Sequence, residues 1–103
     1  MQLATTANTN TQTMSSREIS DLTGKGHNHV MRDIRKREKQ LGDMFEGYIQ
    51  NWTHPQNGQI YEEFFLQKDT CLTLLLGYDA VARVKVVKRW QELEEKKRSN
   101  SLV

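Results

Sequence analysis

The stretch SSREISDLTGKGHNHVMRDIRKREK, residues 15–39, predicts two short helices joined by a glycine turn. Ser15 can cap the first helix, and Glu18 stands three residues later, where a capping box places a carboxylate. Gly24 ends that helix, because glycine enters left-handed backbone conformations without strain. The stretch therefore has the sequence pattern of a helix-turn-helix.

The second helix of this stretch has one apolar stripe and one basic side. Val30 and Ile34 lie four residues apart and should face the core. An α-helix fits the major groove of DNA, where its early outward residues meet base edges and where arginine can bond guanine through two donors. Arg32 and Arg35 are the strongest candidates for such contact. The full set of predicted DNA-binding residues is Ser16, Arg17, Lys25, His27, Asn28, His29, Arg32, Arg35, Lys36 and Lys39.

A β-hairpin is predicted after the second helix, which should stop at Gly42. Residues 48–52 and 60–66 are rich in aromatic and β-branched side chains, and the segment between them contains Asn57-Gly58. A hairpin that follows a helix-turn-helix is typical of a wing. It can equally be a cover for the core, and the neighbouring acids Glu62 and Glu63 argue against placing the second strand on phosphate.

Two further helices are predicted at the C-terminal end of the chain. Asp69 is expected to cap an apolar helix that ends at Gly77. Asp79 should cap the last helix, from residue 80 to about residue 97, in which an apolar stripe at spacings of three consists of Val84, Val87, Trp90 and Leu93. Both tryptophans, Trp52 and Trp90, are expected to anchor the core. Secondary phosphate contacts are expected at Arg83, Lys85, Lys88 and Arg89 if the last helix faces the duplex.

Domain boundaries follow from composition. Residues 1–13 are almost all Thr, Asn, Gln and Ala, so they should form a disordered polar leader. Residues 14–98 should form one helix-turn-helix and hairpin domain, and residues 99–103 a flexible tail. The predicted fold class is α+β, a winged helix-turn-helix-like arrangement of two N-terminal helices, a hairpin and two C-terminal helices.

The charge is unevenly distributed. Residues 14–40 hold seven basic against four acidic side chains, residues 41–78 one against five, and residues 79–103 seven against four. Two basic segments thus flank an acidic centre, which suits a nucleic-acid binder of modest net charge if the fold brings the two basic segments onto one side. The alternative is a solvated surface of mixed charges, and charge alone does not separate the two interpretations. The 103-residue chain has a single cysteine and no apolar run approaching the roughly 20 residues that span a bilayer. We expect no membrane association and a cytoplasmic protein.

No catalytic or metal site is predicted. The chain has no glycine loop for phosphate and no nucleophile–base pairing, so an enzyme is not expected. His27, His29, His54 and Cys71 lack the ligand spacing of a zinc finger, and no cofactor is expected. Cys71 lies in an apolar run and should behave as a small buried hydrophobe.

Three segments together resemble the phage regulatory protein Rha family. They are SREISDLTGKGHNHVMRDIR (16–35), IYEEFFLQKD (60–69) and LTLLLGYDAVARVKVVKRWQELE (72–94). The resemblance covers about four-fifths of the chain and implies an N-terminal DNA-binding, antirepressor-like domain from a temperate phage or prophage. Such a protein would act in the cytoplasm of the bacterial host, in association with the nucleoid.

Three hypotheses for function remain open. The first is a transcriptional regulator that recognises double-stranded DNA, acting as a homodimer because one helix contacts few base pairs. The second is a protein-interaction module, an antirepressor or host-factor antagonist, that binds a phage or host regulatory protein through the acidic centre or the last helix. The third is nonspecific nucleoid-type binding with strong salt dependence.

Overall fold

The computed structural model describes residues 12–102, with side chains described for residues 12–96. Most of the predicted disordered leader, residues 1–11, lies outside the described residues. The elements, in chain order, are β1 (Met14–Ser15), α1 (Ser16–Thr23), α2 (His27–Leu41), a short 3-10 turn (Gly42–Met44), β2 (Gly47–Thr53), β3 (Ile60–Leu66), α3 (Lys68–Leu74), a second 3-10 turn (Leu75–Gly77) and α4 (Ala80–Leu102).

The start and end of α1 have the predicted local causes. The Ser15 hydroxyl accepts a hydrogen bond from the backbone N–H of Glu18 at 3.1 Å. The capping box is only half formed, because the Glu18 carboxylate bonds Arg89 of α4 instead. Gly24 adopts a left-handed φ of 79° and ends the helix, as predicted.

The hairpin is confirmed, and a third strand joins it. β2 and β3 pair antiparallel, with Gly47 opposite Leu66 at one end and Thr53 opposite Ile60 at the other. The two-residue strand β1 pairs with the other edge of β3, giving the sheet order β1-β3-β2. The sequence did not predict β1, whose Met14 is fully buried.

α3 begins earlier than predicted. Gln67 occupies the N-cap position and provides no side-chain hydrogen bond, so the predicted cap Asp69 lies inside the first turn. A negative charge is still favourable there, because the helix N-terminus is its positive end. The helix gives way to 3-10 geometry at Leu75, and this turn ends at Gly77, the predicted stop. Cys71 is fully buried, and burial raises the pKa of its thiol to about 11, in keeping with an inert side chain.

α4 begins as predicted but buries a different face. The Asp79 carboxylate accepts from the N–H of Ala82 at 2.8 Å, and the helix continues to Leu102, past the predicted end near residue 97. Of the predicted stripe at spacings of three, Trp90 is buried and Leu93 packs against the core, but the first two positions do not face inward. Val84 and Val87 are exposed, and the buried positions follow a spacing of four. They are Ala82, Val86 and Trp90. The flexibility of residues 99–103 stays a prediction.

One core lies around β3 and receives side chains from β1 and from all four helices, whereas β2 supplies none. Ile19 of α1, Val30 and Ile34 of α2, and Phe64 and Leu66 of β3 are buried in it, together with the inner faces of α3 and α4. α4 packs mainly against α1. The α+β class and the winged-helix-like order of elements are therefore confirmed.

Candidate nucleic-acid interface

The turn between α1 and α2 is fixed by local hydrogen bonds. The N–H of Gly24 bonds the carbonyl of Ser20 at 2.9 Å, and the Ser20 hydroxyl donates to the carbonyl of Lys25 at 2.6 Å. Gly26 then starts α2 without a side-chain cap. These bonds hold α2 at a set angle to α1, which is what a helix needs if it is to enter a groove as one rigid unit.

The outer face of α2 is polar and basic, as predicted. Val30 and Ile34 are fully buried, and the residues on the opposite side of the helix are exposed. Among residues 12–96, Arg32, Lys36 and Lys39 form no ion pair with a carboxylate. We call this outer face the basic face of α2, and it consists of Asn28, His29, Arg32, Arg35, Lys36 and Lys39.

Arg35 differs from the other cations of the basic face. Its guanidinium donates to the Glu62 carboxylate at 2.5 Å and lies 5.5 Å from the centre of the Phe64 ring. Both side chains of this ion pair remain roughly half exposed. Arg35 is thus neither buried nor covered, but it connects α2 to the wing strand β3 and would have to leave Glu62 to reach DNA.

Ser16 and His27, the first residues of α1 and α2, are hydrogen-bonded to each other inside the protein. Ser16 is fully buried, and its hydroxyl accepts from the N–H of Phe64 at 3.1 Å and bonds His27 Nε2 at 2.8 Å. Burial, followed by the positive charge of Arg17, lowers the pKa of His27 and favours the neutral ring. The predicted DNA role of Ser16 does not fit this position, because its polar atom is enclosed and already bonded. His27 is half-buried, and its Nε2 is occupied by the same bond.

Arg17 contacts the wing. Its guanidinium lies 4.4 Å from the centre of the Trp52 ring and 5.9 Å from that of Tyr61, a favourable cation–π arrangement. Trp52 itself is 37% exposed, so the prediction that it anchors the core is wrong, whereas Trp90 at 2% does so. Arg17 therefore holds the outer end of the hairpin against the start of α1.

The tip of the wing is a structured turn without acidic residues. His54 Nδ1 accepts from the N–H groups of Gln56 and Asn57, and the Asn57 side chain accepts from the N–H of Gln59. Gly58 takes a positive φ of 71°, as a tight turn requires. The tip thus presents amide side chains and no carboxylate, whereas the acids of β3 lie closer to the core.

Lys25 lies at a small cleft beside α2. Its ammonium is 4.5 Å from the centre of the Tyr78 ring. The Tyr78 hydroxyl donates to the Asp33 carboxylate at 3.0 Å, and burial together with that bond raises the pKa of Tyr78. The cleft measures about 210 Å³ and is also lined by Lys36 and Arg37. Three cations therefore surround one part-buried tyrosine–aspartate pair at the edge of the basic face.

The four cations predicted as secondary phosphate contacts do not act alike. Arg89 bonds Glu18 of α1 at 2.6 Å and Glu92 at 3.1 Å, and these bonds raise its pKa. It connects α4 to α1, whereas Arg32 forms no ion pair with a carboxylate within residues 12–96. The remaining three are exposed and form no ion pair within residues 12–96: Arg83, Lys85 and Lys88.

The ion pair between Glu62 and Arg35 was not predicted from the sequence. Glu62 was expected only to disfavour phosphate contact by the second strand of the hairpin. One signal was available, because Glu62 alternates with Phe64 and Leu66 and so belongs to the face of β3 that meets the helices. No local signal linked Arg17 to Trp52, since the two are 35 positions apart.

Within the part of the chain that the structure describes, no group of three or more His, Cys, Asp or Glu side chains is placed to hold a metal ion. No helix among the same residues is both long and apolar enough to cross a membrane.

Comparison with known proteins gives one match. Neither the curated proteins nor the solved structures contain a significant match to this chain. The family model described as phage regulatory protein Rha matches residues 14–95, which begins at the buried strand β1 and ends within α4. The matched range covers every element of the fold, from β1 to most of α4. The chain therefore belongs to the phage regulatory protein Rha family.

Proposed function

We propose that this phage regulator recognises double-stranded DNA through the basic face of α2 and so controls transcription. The observation that supports the proposal is the exposure of Arg32 at the centre of that face, with no carboxylate bound to it among residues 12–96. A solvated cation on a rigid helix can donate to a base or a phosphate without first breaking an internal ion pair.

The arrangement supports different roles for the two ends of α2, base contacts near the N-terminal end and phosphate contacts near the C-terminal end. Asn28 and Arg32 lie one turn apart on the same face, where asparagine can pair with adenine and arginine with guanine. Lys36 and Lys39 follow towards the C-terminal end, where point charges suit phosphate oxygens. Arg35, held by Glu62, aligns the wing with the helix. Ser16 and His27 act inside the protein as supports for α2.

The proposal includes the quaternary state and location. One helix covers only a few base pairs, so two copies on paired half-sites would supply affinity and specificity. The protein would act as a homodimer on DNA in the host cytoplasm, at the nucleoid.

A second candidate function is a protein-interaction module that binds a phage or host regulatory protein. The exposed valines of α4 favour it, because they serve neither the core nor a phosphate contact. The two functions are compatible in one molecule, since the basic face of α2 and the outer side of α4 belong to different helices.

The test is selection of bound fragments from a random duplex library, followed by affinity measurements on the selected site. Arg32→Ala should weaken binding about 5- to 150-fold, the equivalent of losing one good base contact of about 1–3 kcal/mol. Its melting temperature should match the wild type, because the side chain is exposed and has no ion-pair partner within residues 12–96. Light scattering on the complex should give twice the monomer mass and a two-fold symmetric site.

Arg83→Ala is the matched control. Arg83 is exposed on α4 and forms no ion pair with any carboxylate of the described side chains, and its loss should leave the affinity nearly unchanged. If the library yields no preferred sequence and binding depends only on salt, the protein is a nonspecific DNA binder. If Arg32→Ala and wild type bind the selected site equally, the basic face of α2 is not the recognition surface.

A further inference from the structure

α4 has an apolar outer surface that the fold does not use. Val81 is 66% exposed and Val84 51%, and Val87 is also exposed, although Ala82 and Val86 between them are buried. Adjoining shallow grooves run along this surface from Ala80. An amphipathic helix needs one apolar stripe for its core, so a second stripe on the opposite side indicates a binding surface.

The rim of this surface is positively charged. Arg83, Lys85 and Lys88 flank the valines, and none of them is paired with a carboxylate within residues 12–96. From residue 80 to residue 91 the helix has no acidic residue. The acids that follow are largely engaged within the protein, since Glu92 binds Arg89 and Glu94 binds Lys68. We call the valines and their three cations the α4 seam.

This composition favours one class of occupant. A DNA backbone would satisfy the cations but leave the valines against polar phosphate and sugar. A second copy docked seam to seam would bury the valines, but it would bring the cations of one rim against those of the other, which is repulsive. An amphipathic segment with apolar and acidic side chains satisfies both the valines and the cations.

From the exposed valines and the cations around them, we infer that the α4 seam is a docking site for an acidic amphipathic segment of another protein. The segment seats apolar side chains over Val81, Val84 and Val87 and presents carboxylates to the three rim cations. This site is separate from the basic face of α2 and does not depend on DNA recognition. A regulator with such a seam can bind a protein partner through α4 and leave the basic face of α2 accessible to DNA.

The experiment uses the full chain and two synthetic fluorescent peptides of about four helical turns. Both have the same leucine stripe, flanked by glutamates in one and by lysines in the other. Fluorescence anisotropy should show at least about ten-fold tighter binding of the glutamate peptide. The double change Lys85→Glu and Lys88→Glu should reverse that preference. Val84→Asp should weaken binding of the glutamate peptide at least about ten-fold, because a carboxylate would be buried against leucine.

Ile60→Asp is the matched control. Ile60 is an apolar residue on the wing that is 65% exposed, against 51% for Val84, and its change should leave peptide binding unchanged. Thermal melting should find both aspartate variants as stable as the wild type.

Equal binding of the two peptides, or unchanged binding after Val84→Asp, overturns the proposal. A doubled mass in light scattering that Val84→Asp abolishes identifies a second copy as the occupant and overturns it as well. The proposal is also overturned if the variant with Lys85→Glu and Lys88→Glu loses affinity for duplex DNA and neither peptide binds the wild type. None of these outcomes depends on Arg32, so this proposal and that of DNA recognition can fail independently.

Discussion

Helices α2 and α4 have similar basic compositions but different outer surfaces. On α2 the apolar residues gather on the inner side, and the opposite side is polar and cationic. On α4 apolar residues occupy both sides, and the exposed valines alternate with lysines. Charge content alone would assign both helices to DNA. The difference shows that the use of a basic helix depends on what lies between its cations.

The largest effect should come from removing an inner apolar residue of α2. Ile34→Ala should lower the free energy of unfolding by about 2–5 kcal/mol, because Ile34 is fully buried and its loss leaves a cavity. Val84→Ala on the outer side of α4 should change it by no more than about 0.5 kcal/mol. Urea unfolding measures both, and similar losses would contradict the assignment of the two faces.

Salt dependence should separate the cations of the two helices. With both Lys36 and Lys39 changed to Ala, the slope of log affinity against log salt should fall by about two, since two phosphate contacts are lost. The same change at Lys85 and Lys88 should leave the slope as in the wild type. Titration of the selected duplex at several salt concentrations gives the slopes, and a larger change for the α4 pair would move the phosphate contacts to that helix.

A smaller effect is expected from releasing Arg35. Glu62→Gln removes its partner and one negative charge near the basic face, so DNA affinity should rise about two- to ten-fold. Stability should change by less than about 1 kcal/mol, because the ion pair is exposed. Glu92→Gln, which frees Arg89 on α4 in part, is the control and should not alter affinity. A fall in affinity with Glu62→Gln would show that the Arg35–Glu62 pair is needed intact.

The smallest effect concerns pH. The pKa of His27 in the folded protein is lowered from 6.5, so below that pH the unfolded chain binds more protons than the folded one. Stability should therefore decline as the pH falls through this range. His27→Asn should flatten the decline relative to the wild type, whereas the exposed His29→Asn should not. Denaturant midpoints at about pH 7.5 and about pH 5.5 supply the measurement, and an identical decline in all three proteins would contradict the assignment.

Much of the fold could be predicted because its signals are local. Ser15, Gly24 and Asp79 mark helix ends through contacts within a few residues, and the hairpin strands have their aromatic pattern within seven residues each. The strand β1 could not be found in this way. It has two residues, and it exists only because β3, some fifty positions later, offers an edge for pairing.

The candidate site was predicted in outline and changed in detail. The stripe of Val30 and Ile34 is sufficient to place Arg32 outward, because both belong to one helix with a fixed period. Ser16 was assigned to the surface although it is buried. Its hydroxyl bonds His27 and the backbone of Phe64, and neither residue spacing nor residue type predicts these two partners.

By itself, the sequence determined the helix ends, the turn at Gly24, the hairpin and the outward direction of the basic face of α2, since each depends on residues close in the chain. Only the tertiary structure decided which side of α4 faces the core. The apolar residues of α4 form one series at spacings of three and another at spacings of four, and the packing of α1 decides which series is buried. It also decided which cations are free. Arg35 and Arg89 differ from Arg32 in that the packing of the core brings Glu62 and Glu18 to them from distant elements.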